Sequence, residues 1–226
     1  MLPMGVKPTT DIFQQGMSAL LFDMPIVAIH MDNTIIFGYA DFNSHLVDVT
    51  EVLHRLEAAG MQVNPNKCLW FQPAVLYLGF AITHDGIKHQ QEKIHGILNM
   101  TSPKMQKDVR RFIGMVNFYR DLYPKCAETL APLTDLCGQK KKFVWSDIEK
   151  QAFLKMKNIM AQDAMYPYPQ FDRPFIVHSD ASDKQIGGVV SQQEKPLGFF
   201  SKKLTETQQR YPVTEQELLA ISETLK

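Results

Sequence analysis

The first clear pattern in the chain is a pair of short apolar runs, residues 26–29 and 35–37, separated by a polar step. Their β-branched residues favour extended backbone, so the pattern predicts a β-hairpin with Asp32 and Asn33 at its tip. An ordinary polar turn is the alternative, because Asp and Asn side chains bond their own backbone and tolerate unusual φ angles. The predicted hairpin places the Asp32 carboxylate at the end of an apolar scaffold.

Amphipathic helices are predicted on both sides of this hairpin. Before it, apolar positions recur at helical spacing over residues 12–22, and Thr10 or Asp11 can cap that helix. After it, residues 42–56 carry apolar side chains at intervals of three and four, and Gly60 can end the helix.

The middle of the chain combines short strands with a long helix. Residues 63–68 and 75–80 have the composition of short strands joined by turns. From Lys104 to Tyr119 the spacing is helical, and the face opposite the apolar stripe carries Lys107, Arg110 and Arg111. A basic face of this kind suits contact with phosphates, although the solvated back of a core helix has the same pattern.

The last part of the chain predicts a helix, a linker and a new sheet. Ser146 and Glu149 have the spacing of a capping box. Residues 166–171, rich in proline and tyrosine, indicate a linker between two domains. Beyond it the pattern predicts three strands and a helix, at residues 175–180, 186–191 and 197–201 and from about Thr214, with turns at 187–188 and 194–196.

Composition and charge narrow the class of protein. The 226 residues are 45% hydrophobic and 21% charged, which suits one large or two ordinary globular domains. Because 24 basic and 24 acidic residues cancel, any binding of nucleic acid must use local basic patches or be weak. Cys68, Cys126 and Cys137 have neither zinc-ligand spacing nor a disulfide pattern. With no long apolar run and no signal-peptide pattern, we expect an intracellular protein of the cytoplasm or nucleus, neither secreted nor in a membrane.

Several short motifs occur in a fixed order along the chain: Leu2-Pro3-Met4-Gly5-Val6-Lys7 with Phe13-Gln14, His30-Met31-Asp32-Asn33, the strands around residues 75–80, Gly86-Ile87-Lys88, and Phe112-Ile113-Gly114 with Asn117-Phe118-Tyr119-Arg120. In this order they resemble the reverse transcriptases of gypsy-type LTR retrotransposons (Metaviridae). The hairpin of that family carries an aromatic residue, a variable residue and two Asp. Here His30 stands at the aromatic position, Asp32 at the first Asp and Asn33 at the second.

The resemblance implies an α+β fold in three parts. These are a partial reverse-transcriptase palm at residues 1–88, a helical thumb and connection region at 89–165, and the N-terminal part of a truncated RNase H-like α/β domain at 166–226. Residues 75–80 would be the primer-grip hairpin. The implied partners are an RNA or DNA template-primer or an RNA–DNA hybrid. The basic face of the predicted helix makes Lys107, Arg110 and Arg111 the candidate nucleic-acid-binding residues.

Two further segments, Asp180-Ala181-Ser182 and Thr214 to Ala220, resemble the opening of an RNase H domain. In that family the strand Asp and the helix Glu hold metal, so the resemblance implies that Asp180 and Glu217 are catalytic ligands of Mg²⁺ or Mn²⁺, as Asp32 is in the hairpin. Glu217 can alternatively complete a capping box with Thr214, three residues earlier. Both activities of the family use two divalent cations about 4 Å apart to stabilise phosphoryl transfer.

Two functional hypotheses remain open. The family needs an Asp upstream of the Leu2 motif and further acidic residues beyond Lys226, and Asn33 is a neutral amide. We therefore expect a fragment of a reverse transcriptase–RNase H polyprotein that is catalytically inactive as this chain. The alternative is a non-catalytic nucleic-acid-binding or scaffold protein derived from a retroelement, using the same basic face and the lysines near 141 and 202. A steep loss of affinity with salt distinguishes phosphate binding from scaffolding.

Overall fold

The computed structural model describes residues 7–38, 41–138, 142–162 and 165–226. The chain divides into two compact units, Met1–Gln72 and Pro73–Lys226. Both contain helices and antiparallel sheet, which confirms the predicted α+β class. The motif at residues 2–6 and the lysines 140 and 141 lie outside the described residues.

The first unit consists of two helices and a hairpin, in the order α1 (Lys7–Leu20), β1 (Val27–His30), β2 (Asn33–Ile36) and α2 (Phe42–Ala58). Its core is formed by Met17 and Leu21, which pack with Val52 and Leu56 of α2. Helix α2 begins where the carboxylate of Asp41 accepts backbone N–H groups at 2.8 and 3.0 Å, so a cap sets this boundary.

Helix α1 differs from its prediction at both ends. Thr10 and Asp11 lie inside the helix rather than at its cap, and the helix stops before Phe22, which is 84% exposed. Ile12 is also exposed. The apolar positions over residues 12–22 therefore include two side chains, Ile12 and Phe22, that the unit does not bury.

The predicted strand at residues 63–68 is wrong, because this segment contains the 3-10 turn Pro65–Lys67 instead. The side chain of Asn64 accepts the N–H of Asn66 at 3.1 Å and begins the turn Pro65–Lys67. Pro65 has no N–H to donate to a neighbouring strand, and the Asn64 side chain binds the nearby backbone N–H of Asn66. Local hydrogen bonds therefore replace strand pairing.

The second unit begins with short strands followed by helices, in the order β3 (Ala74–Tyr77), β4 (Phe80–Thr83), β5 (Ile87–His89), α3 (Gln91–Leu98), α4 (Gln106–Phe118), α5 (Cys126–Leu136), α6 (Asp147–Met160) and β6 (Met165–Tyr166). The four strands pair antiparallel in that order. Phe112 of α4, Leu133 of α5, and Phe153 and Met156 of α6 are almost fully buried in one core. Among the described residues, no helix combines the length and apolar character needed to cross a membrane.

The predicted helix after Lys104 and the capping box before α6 are both confirmed. The carboxylate of Glu149 accepts the backbone N–H of Ser146 at 3.0 Å, and the Ser146 hydroxyl accepts the N–H of Ile148 at 3.3 Å. Helices α3 and α5 were not predicted; α5 contains Pro132 in its interior, a residue that usually marks a helix end.

A second antiparallel sheet, β7 (Ile176–Ala181), β8 (Gln185–Gln192) and β9 (Lys195–Lys203), is covered by α7 (Val213–Thr224). The three predicted strands and the helix are confirmed, but the predicted turn at 187–188 is wrong because both glycines lie inside β8. A Cβ at Gly188 would lie 2.2 Å from the hydroxyl of Thr224, so a glycine at this position leaves the room that α7 needs to pack on the sheet. Helix α7 begins after Pro212, and therefore the Thr214–Glu217 capping box does not form.

This second sheet is docked on the helical core of the same unit. The hydroxyl of Ser201 in β9 accepts the N–H of Ala127 in α5 at 3.0 Å. The rings of Tyr166 and Phe199 meet edge to face with centroids 6.0 Å apart. Because Tyr166 is buried and paired in β6, the first residue of the predicted linker 166–171 belongs to a strand.

Candidate nucleic-acid interface

A groove of about 540 Å³ lies in the second unit, beside the turn that joins β3 to β4. The turn contributes Leu78 and Gly79. The other walls come from α3 and from the exposed face of α4 with the residue after it: Lys93, Ile97, Arg110, Arg111, Gly114, Met115, Phe118 and Tyr119. The floor is therefore mainly apolar and the rim is basic.

The turn is built from two consecutive residues with left-handed backbone, Leu78 with φ 49° and Gly79 with φ 84°. Only glycine fits the second position without strain, since a Cβ there would lie 2.9 Å from the ring of Phe118. The carbonyl of Gly79 accepts the hydroxyl of Tyr119 at 3.0 Å and the N–H of Gln90 at 3.2 Å. These contacts hold the turn against α4.

Aromatic rings support the groove from beneath. Phe80 stacks on Phe118 and meets Tyr119 edge to face, in each case with ring centroids 5.5 Å apart. Phe118 is 55% exposed and lines the groove, whereas Tyr119 is buried. Burial raises the pKa of Tyr119, so its hydroxyl remains a hydrogen-bond donor at neutral pH.

The charge of the groove comes from Lys93, Arg110 and Arg111, all exposed. None of the residues that line it is acidic. One guanidinium nitrogen of Arg110 also donates to the carbonyl of Cys137, at 2.9 Å, where α5 ends. The structure thus brings two of the three basic residues expected from the sequence into one groove, while Lys107 lies exposed one turn earlier on α4.

Lys93 was missed because the short helix that carries it was not predicted. Ile94 and Ile97 on the same helix are each only 1% exposed. Their spacing of three residues, continued by Leu98, is the signal that could have revealed α3 and its exposed Lys93.

The hairpin of the first unit has a loop of Met31 and Asp32, with Asn33 already paired opposite His30 in β2. The tip is thus one residue earlier than predicted, and Met31 takes the left-handed φ of 54°. Gln14 of α1 holds this hairpin: its side chain accepts the N–H of Met31 and donates to the carbonyl of Ile29 at 3.2 Å.

The residues at this tip do not by themselves fit a pair of divalent cations. Asp32 is exposed, and the amide of Asn33 donates a long hydrogen bond of 3.5 Å to its carboxylate. Mg²⁺ prefers carboxylate and water oxygens in octahedral geometry. In the part of the chain that the structure describes, no three His, Cys, Asp or Glu side chains are grouped as metal ligands.

Asp180 and Glu217 come from elements that touch, since α7 packs against β7. Asp180 is exposed and pairs with Gly187, while its neighbour Ala181 packs into the buried cluster beneath α7; Glu217 is half-buried. The role of these two carboxylates as metal ligands stays a prediction.

The expected basic residue near position 202 is already paired. Lys202 of β9 and Lys226 both contact the carboxylate of Glu223 in α7 at 2.5 Å. The hydrogen bond from Lys202, followed by that from Lys226, lowers the pKa of Glu223 to about 2. Lys202 therefore stabilises the packing of α7 on the sheet.

Comparison with known proteins places these elements in context. Residues 145–226 match the model of the RNase H-like domain found in reverse transcriptase. The chain is 32% identical to the retrovirus-related Pol polyprotein from transposon gypsy and 30% identical to that from transposon opus, both of Drosophila melanogaster, over 97% of its length. It is 29% identical to the transposon Tf2-7 polyprotein of Schizosaccharomyces pombe over its whole length. It spans only 22%, 24% and 17% of these three relatives, respectively.

Solved structures share the fold. The foamy viral protease–reverse transcriptase in complex with an RNA/DNA hybrid superposes with a TM-score of 0.85 at 24% identity, covering 99% of this chain and 31% of that one. The same viral protein in complex with double-stranded DNA gives the same score and identity, covering 99% of this chain and 48% of that one. The arrangement of helices and sheets is therefore common to these proteins.

Proposed function

Because this chain belongs to the gypsy-type retrotransposon Pol family, in its reverse transcriptase and RNase H-like region, we propose that the groove beside α4 binds the backbone of a nucleic-acid duplex. The observation that carries the proposal is the convergence of Lys93, Arg110 and Arg111 on one apolar-floored groove without an acidic lining residue. The solved relatives in complex with an RNA/DNA hybrid or with double-stranded DNA support this class of ligand.

The local charge reconciles this proposal with a net charge of zero. A cation that neutralises a phosphate releases condensed counterions, which favours binding independently of the charge elsewhere on the protein. The exposed ring of Phe118 and the side chains of Ile97 and Met115 give the floor an apolar surface that suits sugar rings. We infer that the basic rim holds the nucleic-acid backbone and that the apolar floor limits how closely this backbone approaches the protein.

The test is the salt dependence of binding to a short, labelled RNA/DNA hybrid. Three phosphate contacts predict that log Kobs falls with log salt with a slope of about −2.7. Arg111→Gln and Lys93→Gln should each weaken binding and reduce the magnitude of the slope by about 1. These two positions are preferred to Arg110, which also holds the end of α5.

Lys155→Gln is the matched control, since Lys155 is exposed on α6 and does not line the groove. It removes the same charge and should leave both the affinity and the slope close to wild type. If all three variants behave alike, or if the wild-type chain shows no affinity for the hybrid at low salt, the groove is not a nucleic-acid interface and a scaffold role is favoured.

We also propose that Asp32, Asp180 and Glu217 act as ligands for divalent cations in the phosphoryl-transfer chemistry of this family. Each of them would act together with further ligands. Reverse transcriptases and RNases H use divalent metals, which would stabilise the charges of phosphoryl transfer at such sites. In this chain Asn33 replaces one carboxylate, so we expect no tight cation site at the hairpin. Magnesium titration followed by NMR should show weak binding near residue 180 that Asp180→Asn removes. Binding that persists in Asp180→Asn would exclude this residue as a ligand.

A further inference from the structure

The turn of Leu78 and Gly79 is the wall of the groove that carries no charge, and it depends on α4 for its position. Leu78 is a branched residue with a φ of 49°, a strained conformation that persists only when its surroundings impose it. Its neighbour Gly79 is held by two donors on one carbonyl, a backbone N–H from Gln90 and the hydroxyl of Tyr119.

The two donors have different consequences. The N–H of Gln90 follows β5 and continues the pairing of β4 with β5, so it ties the turn to its own sheet. The hydroxyl of Tyr119 comes from the end of α4, the helix that carries Arg110 and Arg111. This hydrogen bond connects the uncharged wall of the groove to the helix that bears two of its three cations.

We propose that Tyr119 is a positioning residue for this groove: its hydroxyl, by binding the Gly79 carbonyl, sets the distance between the Leu78–Gly79 turn and the basic face of α4. The proposal rests on the proposed function of the groove. Tyr119 lines the groove but is only 4% exposed, and its hydroxyl is bonded to the Gly79 carbonyl, so we expect it to act through the turn.

Without the hydroxyl, the peptide between Gly79 and Phe80 keeps one donor and gains freedom to rotate. The ring stack of Phe80 on Phe118 remains, because it needs no hydroxyl. The loss therefore affects the width of the groove without removing a cation from its rim.

The experiment compares Tyr119→Phe with Tyr166→Phe in the full chain. Each variant removes one buried hydroxyl that donates to a backbone carbonyl, at Gly79 and at Leu122 respectively, but Tyr166 does not line the groove. Tyr119→Phe should weaken binding of a short RNA/DNA hybrid by about threefold to tenfold, the range expected for one hydrogen bond. The slope of log Kobs against log salt should remain as in wild type, because no cation is lost. Tyr166→Phe should retain wild-type affinity.

Amide hydrogen exchange tests the same role without nucleic acid. Tyr119→Phe should speed exchange at residues 78–80 while α5 and α6 keep their protection. Unchanged exchange at the turn would overturn the positioning role, as would equal affinities of the two variants. If the wild-type chain does not bind the hybrid, the proposed function fails, and the exchange result alone then decides whether Tyr119 positions the turn.

Discussion

Replacement of Gly86 by alanine should separate β6 from β5 at the edge of the first sheet in the second unit. Gly86 precedes β5 and has a φ of 151°. A Cβ on this residue would lie 2.1 Å from the carbonyl oxygen of Tyr166 and 2.8 Å from its carbonyl carbon. Both are backbone atoms, so no side-chain rotation can relieve the clash. Strand β6 must move away from β5.

The free-energy cost follows from what that movement breaks. The unusual φ alone costs alanine about 1–3 kcal/mol. Separation of β6 also breaks the pairing of Ile87 with Tyr166, at about 1 kcal/mol for each lost hydrogen bond, and exposes a tyrosine that is now 6% accessible. We expect a loss of about 3 kcal/mol or more, a large part of the roughly 5–15 kcal/mol that is typical of a domain.

Urea unfolding followed by tryptophan fluorescence measures this loss. The chain has two tryptophans, and Trp145 packs on Phe153 in the core of the second unit, so a Trp70→Phe background isolates its signal. Gly96→Ala is the matched control: Gly96 lies in α3, and a Cβ added there would meet no other atom within 4 Å. This variant should raise stability by up to about 1 kcal/mol. A Gly86→Ala protein as stable as Gly96→Ala would refute the steric argument.

Two further predictions concern titratable groups. The lysines around Glu223 hold its pKa at about 2, below the ordinary 4.5, so its stabilising contribution is complete above about pH 4.5 and disappears as the pH falls through about 2. The melting temperature of Glu223→Gln should be below that of wild type at neutral pH and converge with it near pH 2; a difference that does not depend on pH would contradict the ion-pair explanation. Burial raises the pKa of the Cys126 thiol to about 11, so iodoacetamide should modify Cys68 well before Cys126 in the folded chain, and equal rates would contradict that burial.

Local patterns allowed much of the fold to be predicted from the sequence. The hairpin around Asp32, helix α4, the capping box at Ser146 and the three strands of the second sheet each depend on residues close together in the chain. Periodicity and caps act over those short distances, so they are visible without tertiary information. Where local side-chain bonds override the apolar pattern, as at Asn64, the prediction failed.

The groove could be predicted only in part. Arg110 and Arg111 share a helix and were found together, but Leu78 and Lys93 reach the same groove from other elements. Tertiary packing brings these residues together, and the order of residues along the sequence does not reveal that packing. The domain division at residues 88 and 165 and the ligand roles of the acidic residues stay predictions.

The position of α6 has a consequence for how related retroelement sequences can exchange segments by recombination. The match to the RNase H-like domain model covers residues 145–226, yet α6 contributes Phe153 and Met156 to the core formed by Phe112 and Leu133. A recombination breakpoint at 145 between diverged copies would join half of this core from one parent to half from the other. Each overpacked side chain in such a core typically costs about 1–3 kcal/mol. Breakpoints that follow β6 keep the buried residues of this core with a single parent and divide its edge contacts with β9 instead, so we expect viable chimaeras to favour them.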